Sequence, residues 1–580
     1  MTGRVEPVPR FERRFFDPAR RITRIGDGSL GGKAQGLVAA ARILDERRSS
    51  IEVEGVVLDV PALAVVTTDV FDAFLDRNDL RSLLAEEPSD EVVTLAFRKA
   101  TLPAEWLGDL RSLAEDARVP LACRSSSALE DALGRPFAGV YGTKMIPGNQ
   151  PDGDSRFRAL VDAIKFVFAS TFFRGARAYR RAAGELPAPE RMAVIVQEVV
   201  GRRHGDRFYP DVSGVARSYS FYPVGPAVPE EGVALLALGL GKTIVDGGLC
   251  WSFSPAHPRV APPTGSPRER VETTQSDFWA VNVGPAPPHD PMAETEYLVR
   301  ASLAEAEVDG TLRHSASTYD AESDRLVPGL GRPGPRVLDF APILTYGEVP
   351  LVPVLRRLLE VCAEALGAPV EIELALSLPP GEPGRLGFLQ VRPLVVSGEA
   401  VEVTPGDLEG PLVLVASTTA LGNGRQEVRD VVYVDPDSFE ARLTPAIATE
   451  IESLNRGLVE AGRPYLLIGF GRWGSSDPWL GIPVRWDQIA GARGIVETTL
   501  PQMNPDPSQG SHFFHNLSSF SVVYFTIPRH AGRAVDWGWL KKQEVVARTD
   551  HVRHVRTSAP LVLRVDGRTR RGVVVRPEPE

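Results

Sequence analysis

The chain has 580 residues, 43% hydrophobic and 24% charged, a composition that fits packed globular protein and excludes a disordered one. At about 150 residues per domain it is too long for a single core and implies roughly three or four folding units. Its 65 Lys and Arg against 75 Asp and Glu leave a formal charge of −10, so bulk electrostatics does not favour nucleic acid as a partner. Any anion must therefore be held by locally placed cations.

Cys123, Cys250 and Cys362 lie far apart, with neither metal nor disulfide spacing, and read as passive residues in a reducing cytoplasm. The basic N-terminus lacks the apolar core of a signal peptide, and the longest apolar stretch, "VALLALGLG" from Val233, is too short to span a bilayer. A cytoplasmic protein with no membrane partner is expected.

In chain order, "RRITR" (20–24) makes a poor buried strand, and "KAQGLVAAARIL" from Lys33 spaces its apolar residues as a helix. "DVPALAVVTTDVFDAFL" reads as a short buried strand followed by a helix begun at Thr68 or Asp69. The runs at 192–200, 232–240 and 385–396 have the β-branched, apolar character of strands in a central sheet. Residues 253–290 are rich in proline and suit an irregular insertion within a domain. Acids, Gly and Pro around 398–410 resemble a linker and place a boundary near residue 400. Beyond it, "SFSVVYFTIP" reads as a strand and Asp566-Gly567 as a tight hairpin, giving an α+β C-terminal unit without internal repeats.

Three segments carry candidate chemistry. "IGDGSLGGKAQG" spaces Gly26, Gly28 and Gly31 as G-x-G-x-x-G, yet Asp27 and Ala34 break the phosphate-loop pattern and no good strand precedes it. What survives is a Gly-rich turn ending in Lys33 at a helix start, where a cation and backbone N–H groups can face a phosphate; the alternative is a plain helix entry with a solvated lysine. In "CRSSSALEDALGRPFAGVYGT", Arg124 ends a short apolar run and can offer a five-donor fork to phosphate oxygens, with Ser125, Ser126 and Ser127 as further donors and "PFAGVYG" as a flap. The alternative is a surface loop. In "EIELAL" (371–376) and "LQVRPL" (389–394), adjacent antiparallel strands would bring Glu371 and Glu373 to Gln390 and Arg392. Carboxylates there could hold Mg²⁺ between phosphates, with Gln390 as a metal or base neighbour and Arg392 as a phosphate contact or carboxylate partner. Ordinary strand alternation and surface ion pairs are the alternative.

With Lys33, Arg124, Glu371, Glu373, Gln390 and Arg392 in this order, the chain resembles the nucleotide-binding domain of pyruvate phosphate dikinase and phosphoenolpyruvate synthase over roughly residues 20–395. The matching phrases include "LGGKAQGL", the Arg124 segment, "VIVQEVV", "DVSGVA", "GLGKTIVDGG", "VEIELAL" and "LQVRPL". The resemblance implies an ATP-grasp fold in which Lys33 and Arg124 bind ATP phosphates. It also implies Gln197 and Glu198 at the base and hinge, Gly239 and Gly241 lining the cleft, Glu373 and Gln390 coordinating Mg²⁺, and Arg392 near the phosphates. Two departures stand out: Glu371 replaces the usual aspartate, and about 185 residues after 395 leave too little chain for both a swivelling histidine domain and a pyruvate barrel. Pyruvate as substrate does not follow.

The C-terminal segment adds "YLLIGFGRWGSSDPWLGIPV" (465–484), whose Arg472, Trp473, Ser475, Ser476 and Asp477 form a plausible anion surface or a tight aromatic-stapled turn. In "DPSQGSHFFHNLSSF", His512 opens a helix and could carry a phosphoryl group; a metal pair with His515 or a structural histidine are the rivals. The expectation is an α/β and α+β multidomain protein. Residues 1–230 and 231–400 form the two parts of an ATP-grasp-type module, followed by an α+β domain over 401–580. The expected activity is ATP- and Mg²⁺-dependent phosphotransfer to an unidentified small-molecule or protein acceptor, catalysed with Arg124, Arg392 and His512. An ATP sensor without turnover and an ATP-grasp ligase acting through an acyl phosphate are the other readings.

Overall fold

The computed structural model describes residues 8–127, 130, 140–182, 190–220, 226–246, 248–260, 267–394, 401–475, 479–500, 503, 522–527 and 535–578. The chain is a mixed α/β, multidomain protein with several sheets. It divides into two compact units: Met1–Arg177, Leu186–Ile244 and Leu249–Leu394 in the first, and Ala178–Glu185, Val245–Gly248 and Val395–Glu580 in the second.

The first unit contains a five-stranded sheet in the order Ile22–Ile25, Leu63–Val66, Met192–Glu198, Leu121–Ser127, Thr143–Ile146. Leu63–Val66 is buried along its whole length, as its uninterrupted apolar run requires, and it is followed by the helix Thr68–Arg77. On that helix Phe71 and Phe74 meet Phe168 of the helix Gly153–Ser170 at ring-centroid distances of 5.0 and 5.5 Å. The segment around "RRITR" departs from expectation, because Ile22–Ile25 is a strand parallel to Leu63–Val66. It lies at the sheet edge and buries only alternate residues, so it needs no continuous apolar run.

A six-stranded sheet follows the order Trp251–Phe253, Val233–Ala237, Val212–Arg217, Val370–Ser377, Gly384–Pro393, Val56–Asp59. The helices Gly32–Glu46 and Leu351–Leu366 bury Leu37, Ile43, Val354, Leu355 and Leu358 in the same core as Ile372, Leu374, Phe388 and Val391. Each such side chain contributes about 1.5–3 kcal/mol by leaving water. The proline-rich stretch is more regular than its composition implies: Pro267–Thr273 is helical and Asp277–Asn282 is the second strand of a four-stranded sheet. No proline falls within the strand, and Pro267 takes the helix's first position, where a missing N–H costs nothing.

In the second unit, Gly424–Val434, Tyr465–Phe470, Ala492–Thr498 and Val523–Ile527 run parallel, and Val552–Asp566 and Arg571–Val575 add antiparallel strands. The helix Thr444–Glu460 connects the first two parallel strands and buries Ile447, Ile451, Asn455 and Leu458 at helical spacing. The hairpin at Asp566 is present but wider than a two-residue turn, because Asp566 pairs with Arg571. Its carboxylate accepts from the backbone N–H groups of Arg568 and Thr569, and the left-handed residue is Arg570 (φ 58°) rather than Gly567.

Candidate functional site

Strand pairing fixes the geometry around Arg124. In Leu121–Ser127 successive side chains alternate faces, so Ala122, Arg124 and Ser126 share one side. Leu121 pairs with Glu198, Ala122 with Gln197 and Arg124 with Ile195. In the other sheet Glu371 lies opposite Arg392 and Glu373 opposite Gln390, the pairing that the sequence implies, with a register shift immediately after Glu373.

Arg124 joins the two sheets. Its Nη2 donates to Glu373 Oε2 and to Gln390 Oε1, each at 2.8 Å. Its Nη1 donates to the Leu389 carbonyl at 2.9 Å and reaches Gln197 Oε1 at 3.5 Å. The Arg124 and Glu373 side chains are 14% and 17% exposed, so their attraction is only partly screened by water. Beside Arg124, burial pushes the Cys123 thiol up to about 12, and this cysteine is a passive core group.

Glu371 is engaged separately. Its carboxylate is paired with Arg392 and with Arg217 Nε at 2.5 Å, and Glu371 and Arg392 are both almost fully buried. Of the two roles open to Arg392 in the sequence, carboxylate partner is the one it fills here. Arg217 was not foreseen; the signal was available, since Arg217 ends the strand Val212–Arg217 that pairs with Val370–Ser377.

Lys33 lies in the first turn of the helix Gly32–Glu46. Its Nζ is 2.7 Å from Glu130 Oε1 and 3.2 Å from Ser125 Oγ. Glu130, fully buried, also accepts from Ser125 Oγ at 2.8 Å and from the Ser127 N–H at 2.9 Å. This glutamate was missed because nothing in the local spacing sets it apart from Asp131 beside it. The adjoining glycines serve close packing: a Cβ on Gly31 would lie 1.9 Å from the Ser126 carbonyl oxygen, and one on Gly32 1.6 Å from that of Glu130. The loop's N–H groups are largely committed, those of Asp27, Ser29 and Ala34 to Asp69, Thr68 and Ser126. Burial opposes ionisation of Asp69, but the Thr67 hydroxyl and the Asp27 and Gly28 N–H groups prevail and lower its pKa. Gly32→Ala is expected to destabilise the protein by about 1–3 kcal/mol. Gly108→Ala, where a Cβ meets nothing within 4 Å, should leave the melting temperature at or above wild type.

The remaining residues are less convergent. Glu198 pairs with Arg385 at 2.6 and 2.8 Å, and that hydrogen bonding, reinforced by Asp59, holds the guanidinium pKa above its usual value. Glu198 also borders an open cavity of about 490 Å³ lined by Phe16, Arg21, Asp59 and Arg385. Arg124 lies three residues along the strand from the Glu198 register position, roughly 10 Å at 3.3 Å per residue. Gly239 (φ 79°) accepts from Ser213 Oγ at 2.6 Å, and a Cβ there would meet the Trp279 carbonyl oxygen at 2.7 Å; a Cβ on Gly241 would reach Ser213 at 3.8 Å. Their described contacts tie both glycines to Ser213 rather than to Arg124 or Lys33. Trp473 is buried and donates to the Val496 carbonyl at 3.0 Å, which makes it a staple of the turn it follows. His512, His515, Ser476 and Asp477 lie outside the described residues.

Among the described residues no group of three or more His, Cys, Asp and Glu is poised around a metal. Two hard oxygens, Glu373 Oε2 and Gln390 Oε1, do converge on one cationic nitrogen, a donor set that suits Mg²⁺. Among the described residues, no helix is long and apolar enough to cross a membrane. Residues 27–408, about two thirds of the chain, match the family "Pyruvate phosphate dikinase, AMP/ATP-binding domain", whose span includes Lys33, Arg124, Glu371, Glu373, Gln390 and Arg392. The chain therefore belongs to this nucleotide-binding family of the phosphotransferase type, with ATP as the ligand its domain supports.

Proposed function

We propose that the first unit is an ATP-grasp-type module that binds Mg·ATP and transfers a phosphoryl group to an acceptor still to be identified. The observation that carries this reading is the meeting of Arg124 from one sheet with Glu373 and Gln390 from the other. A guanidinium fork suited to phosphate and a pair of oxygens suited to a hard cation thus occupy one place. The base would lie toward Gln197, whose register position opposite Ala122 is on the Arg124 face, with Glu198 following it at the hinge. Lys33, held by Glu130 and Ser125, supplies a second cation near the strand's far end. Glu373 and Gln390 would hold Mg²⁺, with Glu371 beside them. Bound there, the metal would supply positive charge beside the phosphates.

Arg124 would bind and orient the phosphates, and Arg392 would hold the Glu371 carboxylate in place. His512 would be the carrier if transfer proceeds through a phosphohistidine. Separation of nucleotides after incubation with Mg·ATP tests the reading. Dikinase chemistry yields AMP and phosphate, a ligase yields ADP only when given a carboxylic acid, and an ATP sensor yields neither. Acid-labile, alkali-stable label from β- or γ-labelled ATP, lost in His512→Ala, would identify the carrier; label retained in that variant excludes it.

A further inference from the structure

We propose that Arg124 is a built-in counter-cation for the metal site, so that Mg·ATP binds by cation exchange. In the nucleotide-free protein the guanidinium stands where the divalent ion goes, and it moves to the phosphates as the ion takes its place. The inference rests on the ATP-binding reading above and adds to it an order of events within the cleft.

Three observations carry it. The first is the character of the Arg124 surroundings. Glu373 Oε2, Gln390 Oε1 and the Leu389 carbonyl lie at 2.8, 2.8 and 2.9 Å, and Gln197 Oε1 at 3.5 Å, so the guanidinium faces oxygens of the kind a hard cation selects. A single nitrogen, Nη2, touches both Glu373 and Gln390. A divalent ion bridging those two oxygens would lie against that nitrogen, and like charges at such separation in a partly buried cleft repel strongly. The guanidinium and the metal therefore exclude one another.

The second observation is the contrast with Glu371. Its partners Arg217 and Arg392 come from strands of the same sheet, paired with it in register. Arg124 reaches its partners from the other sheet, so its withdrawal breaks no pairing within either sheet. The third is Gln197, which is almost fully buried and whose Nε2 has no hydrogen-bond partner among the described residues. A buried amide without a partner is costly, so the cleft gains if a rearrangement around Arg124 supplies one.

Mn²⁺ can stand in for Mg²⁺ and its free concentration can be followed by electron paramagnetic resonance. Nucleotide-free wild type should bind Mn²⁺ weakly. Arg124→Met should bind it at least tenfold more tightly, and Arg124→Met combined with Glu373→Gln should lose that gain. If Arg124→Met does not fold, as judged by thermal melting, Arg124→Gln keeps a hydrogen-bond donor toward Glu373 and carries the same expectation. The inference is overturned if the neutral variant binds Mn²⁺ no more tightly than wild type. It is equally overturned if the gain survives in the double variant. A parallel calorimetric titration of wild type with ATP separates the two claims: absent ATP binding removes the nucleotide reading, whereas the Mn²⁺ gain depends only on which cation sits between Glu373 and Gln390.

Discussion

Arg124→Ala is expected to weaken ATP binding by about ten- to a hundredfold for each phosphate contact it removes, and to abolish turnover. The magnitude follows from charge-assisted hydrogen bonds worth about 1.5–3 kcal/mol each, against 1.4 kcal/mol per decade in affinity. Arg124→Lys should recover only part of the loss, because one ammonium cannot reproduce the parallel bonds of a guanidinium fork to phosphate oxygens. Calorimetric titration with ATP is the measurement, and an unchanged dissociation constant would remove Arg124 from the phosphate site. The strand should persist without the guanidinium, since its pairing with Met192–Glu198 is backbone hydrogen bonding reinforced by buried Leu121 and Cys123.

Glu373→Gln separates the metal from the nucleotide. The substitution keeps the shape of the side chain but exchanges an anionic oxygen for a neutral carbonyl, a poor ligand for a hard divalent ion. Affinity for Mg·ATP should fall at least tenfold. Affinity for ATP in the presence of a chelator should hold or rise, because Arg124 loses the carboxylate that retains it at 2.8 Å. A Mg²⁺ titration at fixed nucleotide, repeated without metal, decides the matter. Equal losses in both series would mean that Glu373 shapes the cleft without binding the ion.

Much of the site was legible in one dimension because strands carry a period of two. Glu371 and Glu373 must share a face, as must Gln390 and Arg392, and the turn between their strands brings the four into register. The helix from Gly32 and the strand-then-helix at Leu63–Arg77 were equally plain, since apolar spacing is a local property. Edge strands and proline-rich connections were not. Ile22–Ile25 becomes a strand only because Leu63–Val66 offers it a parallel partner, and Asp277–Asn282 only because Leu298–Ser302 and Arg207–Tyr209 flank it.

Beyond the Glu371–Arg392 pair that strand register implies, which charges neutralise one another was decided by the tertiary structure. Residue types showed that Lys33, Arg124 and Arg392 could meet anions, but Arg124 and Glu373 are 249 residues apart, and Glu130 lies outside the helix that carries Lys33. A buried charge takes whatever opposite charge the fold brings within reach, and that depends on how two sheets and a helix start are packed. The glycines make the same point: the sequence showed a Gly-rich turn ending in Lys33, and it is the fold that brings the backbone oxygens of Ser126 and Glu130 so close to Gly31 and Gly32 that no side chain fits. By itself the sequence determined the central strands and which of their residues share a face. Packing across the cleft determined the partners, because only there do groups distant along the chain come within a hydrogen bond of each other.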